Sequence, residues 1–152
     1  MTVVETSVQV SSLATDIEDM FEWKNECSVN IKSIDAQHRH LFAIAAELRD
    51  AMHAGQAKPA LGKILDRLVQ YTLVHFAHEE KLMQQHGYPD LPAHHVEHEA
   101  LKKQVQDFQK QFHSGQAMIS VALMNFLKDW LEKHIKGTDI RYSPFLIERK
   151  VA

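Results

Sequence analysis

The sequence predicts an all-α fold, an up-down-up-down four-helix bundle with an N-terminal extended arm, and three observations carry that expectation. Four segments place apolar residues at steps of three and four, the spacing of one helix face. The connectors between them are short and marked by glycine or proline, which suits antiparallel neighbours. A chain of 152 residues matches one compact core, which commonly forms at about 100–150 residues.

The elements follow in order. Residues 1–20 mix Thr, Ser, Val and acidic side chains without a sustained period and read as a flexible arm. The remaining 21–152 form the folded domain. From Phe21 to Ser33 apolar residues recur close to every second position, with Trp23, Val29 and Ile31, as in an extended stretch laid over one end of a bundle. Asp35 is the expected cap of the first helix, whose inward stripe is His38, Leu41, Ala45, Leu48 and Met52 and which Gly55 ends. A second helix starts near Pro59, carries Leu61, Leu65, Leu68, Thr72, His75, Glu79 and Leu82 on one face, and stops at Gly87. After the loop GYPDLP a third presents His94, His98, Leu101, Val105, Phe108 and Phe112, closing at Ser114 and Gly115. The fourth is expected from about Gln116, with Val121, Met124, Leu127, Leu131 and His134 inward, until Gly137 interrupts it. The tail from Tyr142 to Ala152 is read as a short final helix.

Composition narrows the function. Apolar residues make up 45% of the chain, enough for a sizeable core, and the net charge of −3 leaves no basic stripe for nucleic acid. No uncharged apolar run approaches the ~20 residues needed to span a bilayer, and the first residues lack a basic segment followed by an apolar one. Cys27 stands alone, so no intrachain disulfide forms, and a cytoplasmic location is expected. The anomaly is eleven histidines, dispersed from His38 to His134 rather than run together as a tag.

Several of them fall in the leucine stripes, where an imidazole needs a buried partner. In His75-Phe-Ala-His-Glu79 an imidazole and a carboxylate lie four residues apart, about 40° from eclipsed on an α-helix. In His94-His-Val-Glu-His98 the same step presents two imidazoles, a chelating spacing for a transition metal. His134 and Asp139 are five apart, about 140° off on a regular helix, so the helix is expected to break between them, at Gly137. His38 adds a donor from the first helix. Five imidazoles and two carboxylates exceed the needs of a single roughly six-coordinate ion, whereas bridging carboxylates can hold two ions. Two octahedral ions offer about twelve positions, and these donors with a shared hydroxide fill about eleven. The open one suits a small uncharged ligand such as dioxygen. Imidazole equally suits zinc, copper and nickel, so spacing alone leaves the metal open.

The motifs IDAQHRHL, HFAHEEKLM, YPDLPAHHVEH and WLEKHIKGTDIRY occur in that order, and through them the sequence closely resembles the bacterial hemerythrins over roughly Phe21 to Phe145. The resemblance implies two non-haem iron ions with a bridging oxo or hydroxo group and dioxygen as ligand. By position it implies that His94, His98 and His134 bind one iron and His38 and His75 the other, with Glu79 and Asp139 bridging. It also implies an oxygen pocket of Leu41, Phe76, Trp130, Leu131 and Ile135, residues that serve equally as ordinary core. Trp23 and Tyr142 match family positions as packing residues, while His40, His53, His78, His86, His95 and His113 are expected on the surface. The expected function is reversible dioxygen binding for storage, transport or delivery, without catalysis and as a monomer. Two other readings are a diiron peroxidase or nitric-oxide-handling enzyme, and an oxygen or redox sensor acting on a separate protein. No recipient protein is legible. Ferritin-like oxygenases use mostly carboxylates with Glu-x-x-His motifs, a pattern missing from this sequence.

Overall fold

A helix forms where one face can be buried, and each expected stripe does form one. The computed structural model describes residues 23–116, 118 and 121–151, so the expected arm lies outside the described residues. Four antiparallel helical rods result: α1 (Lys32–His53), α2 (Lys58–Gln85), α3 (Leu91–His113), and a fourth built from α4 (Val121–Glu132), a π-helical stretch (Lys133–Asp139) and α5 (Ile140–Glu148). Among the described residues there are no strands.

Residues Trp23 to Ile31 lie at the bundle end with extended backbone at Lys24, Ser28 and Ile31, interrupted by a 3₁₀ turn at Asn25–Cys27 and by Asn30 at φ +59°. Trp23 meets Phe42 edge-on, and the Arg39 guanidinium lies over its ring. Asp35 does not sit at the helix start as expected. The helix begins at Lys32, and Asp35 in its first turn reaches back to accept the Val29 N–H at 2.9 Å and the Ser28 hydroxyl. The carboxylate still serves the positive end of the helix, from inside the turn.

Helix α2 opens with Pro59 in its first turn, where a missing N–H costs nothing. It ends with Gly87 at φ +68°, so that the Tyr88 N–H reaches the Met83 carbonyl at 2.9 Å. Gly55, at φ +67°, closes α1 in the same way. Gln116 does not open the fourth rod as expected: its N–H goes to the Gln111 carbonyl at 2.8 Å in the closing turn of α3, and the described part of the rod starts at Val121. The Val121 side chain lies outside the described ones.

The largest correction concerns Gly137. The fourth helix does not break there; it widens into a seven-residue π-helical stretch and continues into α5. Pairing each N–H with the carbonyl five residues back brings side chains five apart to the same side, so His134 and Asp139 meet without a turn. The expected final helix thus begins earlier than Tyr142, at Ile140, as a continuation of the fourth.

Two apolar clusters fill the interior. The larger holds Leu41, Ala45, Leu48, Leu65, Leu68, Phe76, Val105, Phe112, Leu127 and Leu131 between the helices. The smaller, Val29, Ile31, Ile34, Met83, Tyr142 and Leu146, lies under the extended segment, which the Ser143 hydroxyl fastens by donating to the Val29 carbonyl.

Candidate metal centre

Between the two clusters lies a polar layer. Along α1, His38 separates Ile34 of the small cluster from Leu41 of the large one, and along α2 Glu79 separates Met83 from Phe76. Asp139 lies between Ile135 and Tyr142 in the same sense. The layer is closed to bulk solvent: His38, His75, Glu79, His98 and Asp139 are 0% exposed and His94 and His134 only 4%. All seven ligand candidates read from the sequence are therefore brought together. Of the six other histidines, His40, His53, His95 and His113 are exposed, as expected, while His78 and His86 are half-buried.

Glu79 stands at the centre. Its Oε1 faces His38 Nε2 at 3.3 Å and His75 Nε2 more closely still. Its Oε2 faces His94 at 3.3 Å, His98 at 3.5 Å and His134 at 3.9 Å, each through Nε2. Asp139 divides its oxygens along the same line, Oδ2 at 2.9 Å from His38 and Oδ1 at 3.3 Å from His94 and 3.1 Å from His134. Two donor sets follow, Glu79, His94, His98, His134 and Asp139 in one and His38, His75, Glu79 and Asp139 in the other, each with ligand atoms within 4.8 Å of one another. Both carboxylates belong to both sets.

Of these approaches, those of His38 and His94 to Glu79 have hydrogen-bond geometry; most of the remaining atoms of the layer are left without such a partner. His75 Nε2, both His134 nitrogens, both His98 nitrogens and both Asp139 oxygens are buried with no hydrogen-bond partner. Leaving such groups unmet costs about 1–3 kcal/mol each, which a protein tolerates where something else satisfies them. Lone pairs converging from several imidazoles and two carboxylates suit metal cations. One imidazole is oriented from behind: His75 Nδ1 lies 2.7 Å from Gln37 Oε1, an acceptor for its N–H when Nε2 is given to a metal.

Without a metal the layer redistributes protons. Burial, the largest single influence on His38 and His94, lowers both, but hydrogen bonds and the charges of Asp139 and Glu79 outweigh it and lift each to about 9. Burial dominates for His134, which falls to about 4. For Glu79 burial acts upward, yet the His75 charge and the bonds from three imidazoles hold the carboxyl well below the ordinary range. Burial, with the Asp139 and Glu79 charges, pushes the Tyr142 phenol up.

The layer fits what is known of related chains. Residues 29–146 match the family model for the hemerythrin HHE cation binding domain. The chain belongs to the hemerythrin family. It is 38% identical to the bacteriohemerythrin of Methylococcus capsulatus, over 80% of this chain and 92% of that one. It is 31% identical to the myohemerythrin of Theromyzon tessulatum, over 84% of this chain and 94% of that one. A crystal structure of wild-type hemerythrin, 38% identical, superposes with a TM-score of 0.74 over 78% of this chain and 90% of that one. The bundle is thus the hemerythrin bundle, and its histidine, glutamate and aspartate layer fits a metal site.

An apolar wall borders the hemerythrin-type layer. Phe76 stacks on His98 with ring centres 3.9 Å apart and approaches His134 at 5.0 Å and Trp130 at 6.1 Å. Leu41, Phe76, Trp130, Leu131 and Ile135 are all buried in one cluster. Outside, a groove of about 440 Å³ between α3 and the fourth helix, lined by Leu101, Phe126 and Trp130 among others, reaches His134. Among the described residues no helix is long and apolar enough to cross a membrane. Sequence reasoning missed Gln37 and the degree to which Tyr142, 0% exposed, is enclosed; the only signal for Gln37 was its place beside His38.

Proposed function

We propose that this hemerythrin-family chain binds dioxygen reversibly at a non-haem diiron centre, as a carrier or store rather than an enzyme. The observation that supports it most is the division of Glu79 and Asp139, each turning one oxygen to each of two imidazole sets. In this reading His94, His98 and His134 would hold one iron and His38 and His75 the other, while Glu79 and Asp139 would be shared by both, together with an oxo or hydroxo group. The irons, when bound, supply the electrons that dioxygen binding requires.

The protein's own part is to orient and to exclude water. Gln37 orients the His75 ring through the contact of its Oε1 with Nδ1. Leu41, Phe76, Trp130, Leu131 and Ile135 form the oxygen pocket, where an uncharged diatomic loses little on leaving water while ions and water lose much. The preference for a carrier follows from a donor set that is mostly neutral imidazole, since anionic carboxylates better support the high-valent iron of oxygenases. The single cysteine suits a reducing compartment, and we place the chain in the cytoplasm as a monomer.

Metal analysis with absorption spectra of the anaerobically reduced protein, before and after air, tests this. About two irons per chain with a charge-transfer band that appears in air and disappears under argon supports the carrier. Irreversible oxidation, or a different metal, sinks it.

A further inference from the structure

The five imidazoles of the layer are not backed alike. An imidazole that gives Nε2 to a metal carries its proton on Nδ1, and that N–H then needs an acceptor. His75 has the neutral amide oxygen of Gln37. His98 Nδ1 is buried and has no hydrogen-bond partner, but Glu80 Oε2 lies 3.5 Å away. The other oxygen of Glu80 is engaged by His95 Nδ1. His95 and His98, three residues apart on α3, thus flank one carboxylate offered by α2. The Glu80 side chain is only 18% exposed, so little water competes for it.

We propose that Glu80 is a positioning residue for the metal centre: it accepts the His98 Nδ1–H as the ion binds and makes His98 a more electron-rich donor than His75. The inference rests on the diiron reading above. A shift of a few tenths of an ångström turns the 3.5 Å approach into a charge-assisted hydrogen bond, stronger than the neutral one behind His75. A carboxylate behind a ligating imidazole raises its basicity. The ion held by His94, His98 and His134 is therefore favoured in its more highly charged state over its neighbour, whose backed imidazole rests on a neutral amide. The two halves of the centre differ in charge beyond the direct ligands as well as in ligand number.

The test compares the iron-loaded parent with E80Q, which keeps shape and removes charge, and with E99Q, which alters a carboxylate 3.9 Å from His95 and outside the layer. The readouts are the rate at which a chelator extracts iron and the midpoint potential followed by absorption. E80Q is expected to lose iron about 10–100-fold faster and to move the potential upward by at least about 59 mV, a tenfold preference for one electron. E99Q should do neither. Q37E, which gives His75 a carboxylate, should move the potential downward and keeps the proposal testable if E80Q folds poorly. Parent-like extraction and potential in E80Q, or no shift in Q37E, overturns the role of Glu80 while leaving the diiron reading intact. A parent protein that does not take up two irons overturns that reading itself.

Discussion

Glu79→Gln tests the bridging role proposed for Glu79 at the centre of the layer. Gln occupies nearly the same volume, so the buried site is not left with a cavity, and any change reports charge and donor capacity rather than packing. The parent carboxylate serves both donor sets, and an amide can offer an oxygen to only one. The five-group set falls to four or the four-group set to three, and the smaller one, His38, His75 and Asp139, is left the poorer. Removing one partner from a buried ionic arrangement costs about 3–5 kcal/mol. At 1.4 kcal/mol per decade that is roughly two to three and a half decades in affinity for at least one ion. Equilibrium dialysis against a competing chelator, with metal content measured per chain, reads this directly. The expected result is a fall from two tightly held ions to one. Two ions held within about threefold of the parent affinity would falsify the claim that Glu79 bridges.

Two further outcomes follow from the same layer. In the metal-free chain His38 and His94 are raised from 6.5 to about 9, so their contribution to stability is complete below pH 6.5 and is lost as pH rises through about 9. Because metal needs them neutral, ion uptake at pH 7 should release protons, and affinity should climb toward pH 9. Calorimetry in buffers of different ionisation enthalpy measures the release, and zero protons released at pH 7 contradicts the picture. Phe76→Ala removes a fully buried ring stacked on His98 and should cost about 3–5 kcal/mol. Urea unfolding of the metal-free protein checks that, and a loss under 1 kcal/mol would mean the ring is not packed as described.

How much of this was legible depended on whether a feature is local or distant in sequence. The stripes that bury Leu48, Leu68 and Leu127 are local, because steps of three and four are set by the helix itself. His75 with Glu79 and His94 with His98 were legible for the same reason. The spacing of His134 and Asp139 was seen to be irregular, but the remedy was misread: a broken helix and a widened one satisfy the same spacing, and only hydrogen-bond pairing distinguishes them. Asp35 was misplaced because its partners, Ser28 and Val29, precede the helix and owe their position to the core they enter. Gln37 behind His75 and Glu80 behind His98 join different helices, and no pattern along one helix announces such a pair.

The π-helical stretch also resets the phase of everything after it. In an uninterrupted α-helix the position two heptads beyond inward-facing Leu131 is Phe145. The chain buries Asp139 and, seven residues on, Leu146, and leaves Phe145 half-covered. Shortening the step to four residues would match the other helices but would turn Leu146 away from Val29 and Ile31. The extra residue thus works as a vernier: one small offset in winding aligns a carboxylate with the middle of the bundle and, a turn or two further on, a leucine with the cluster that closes its end.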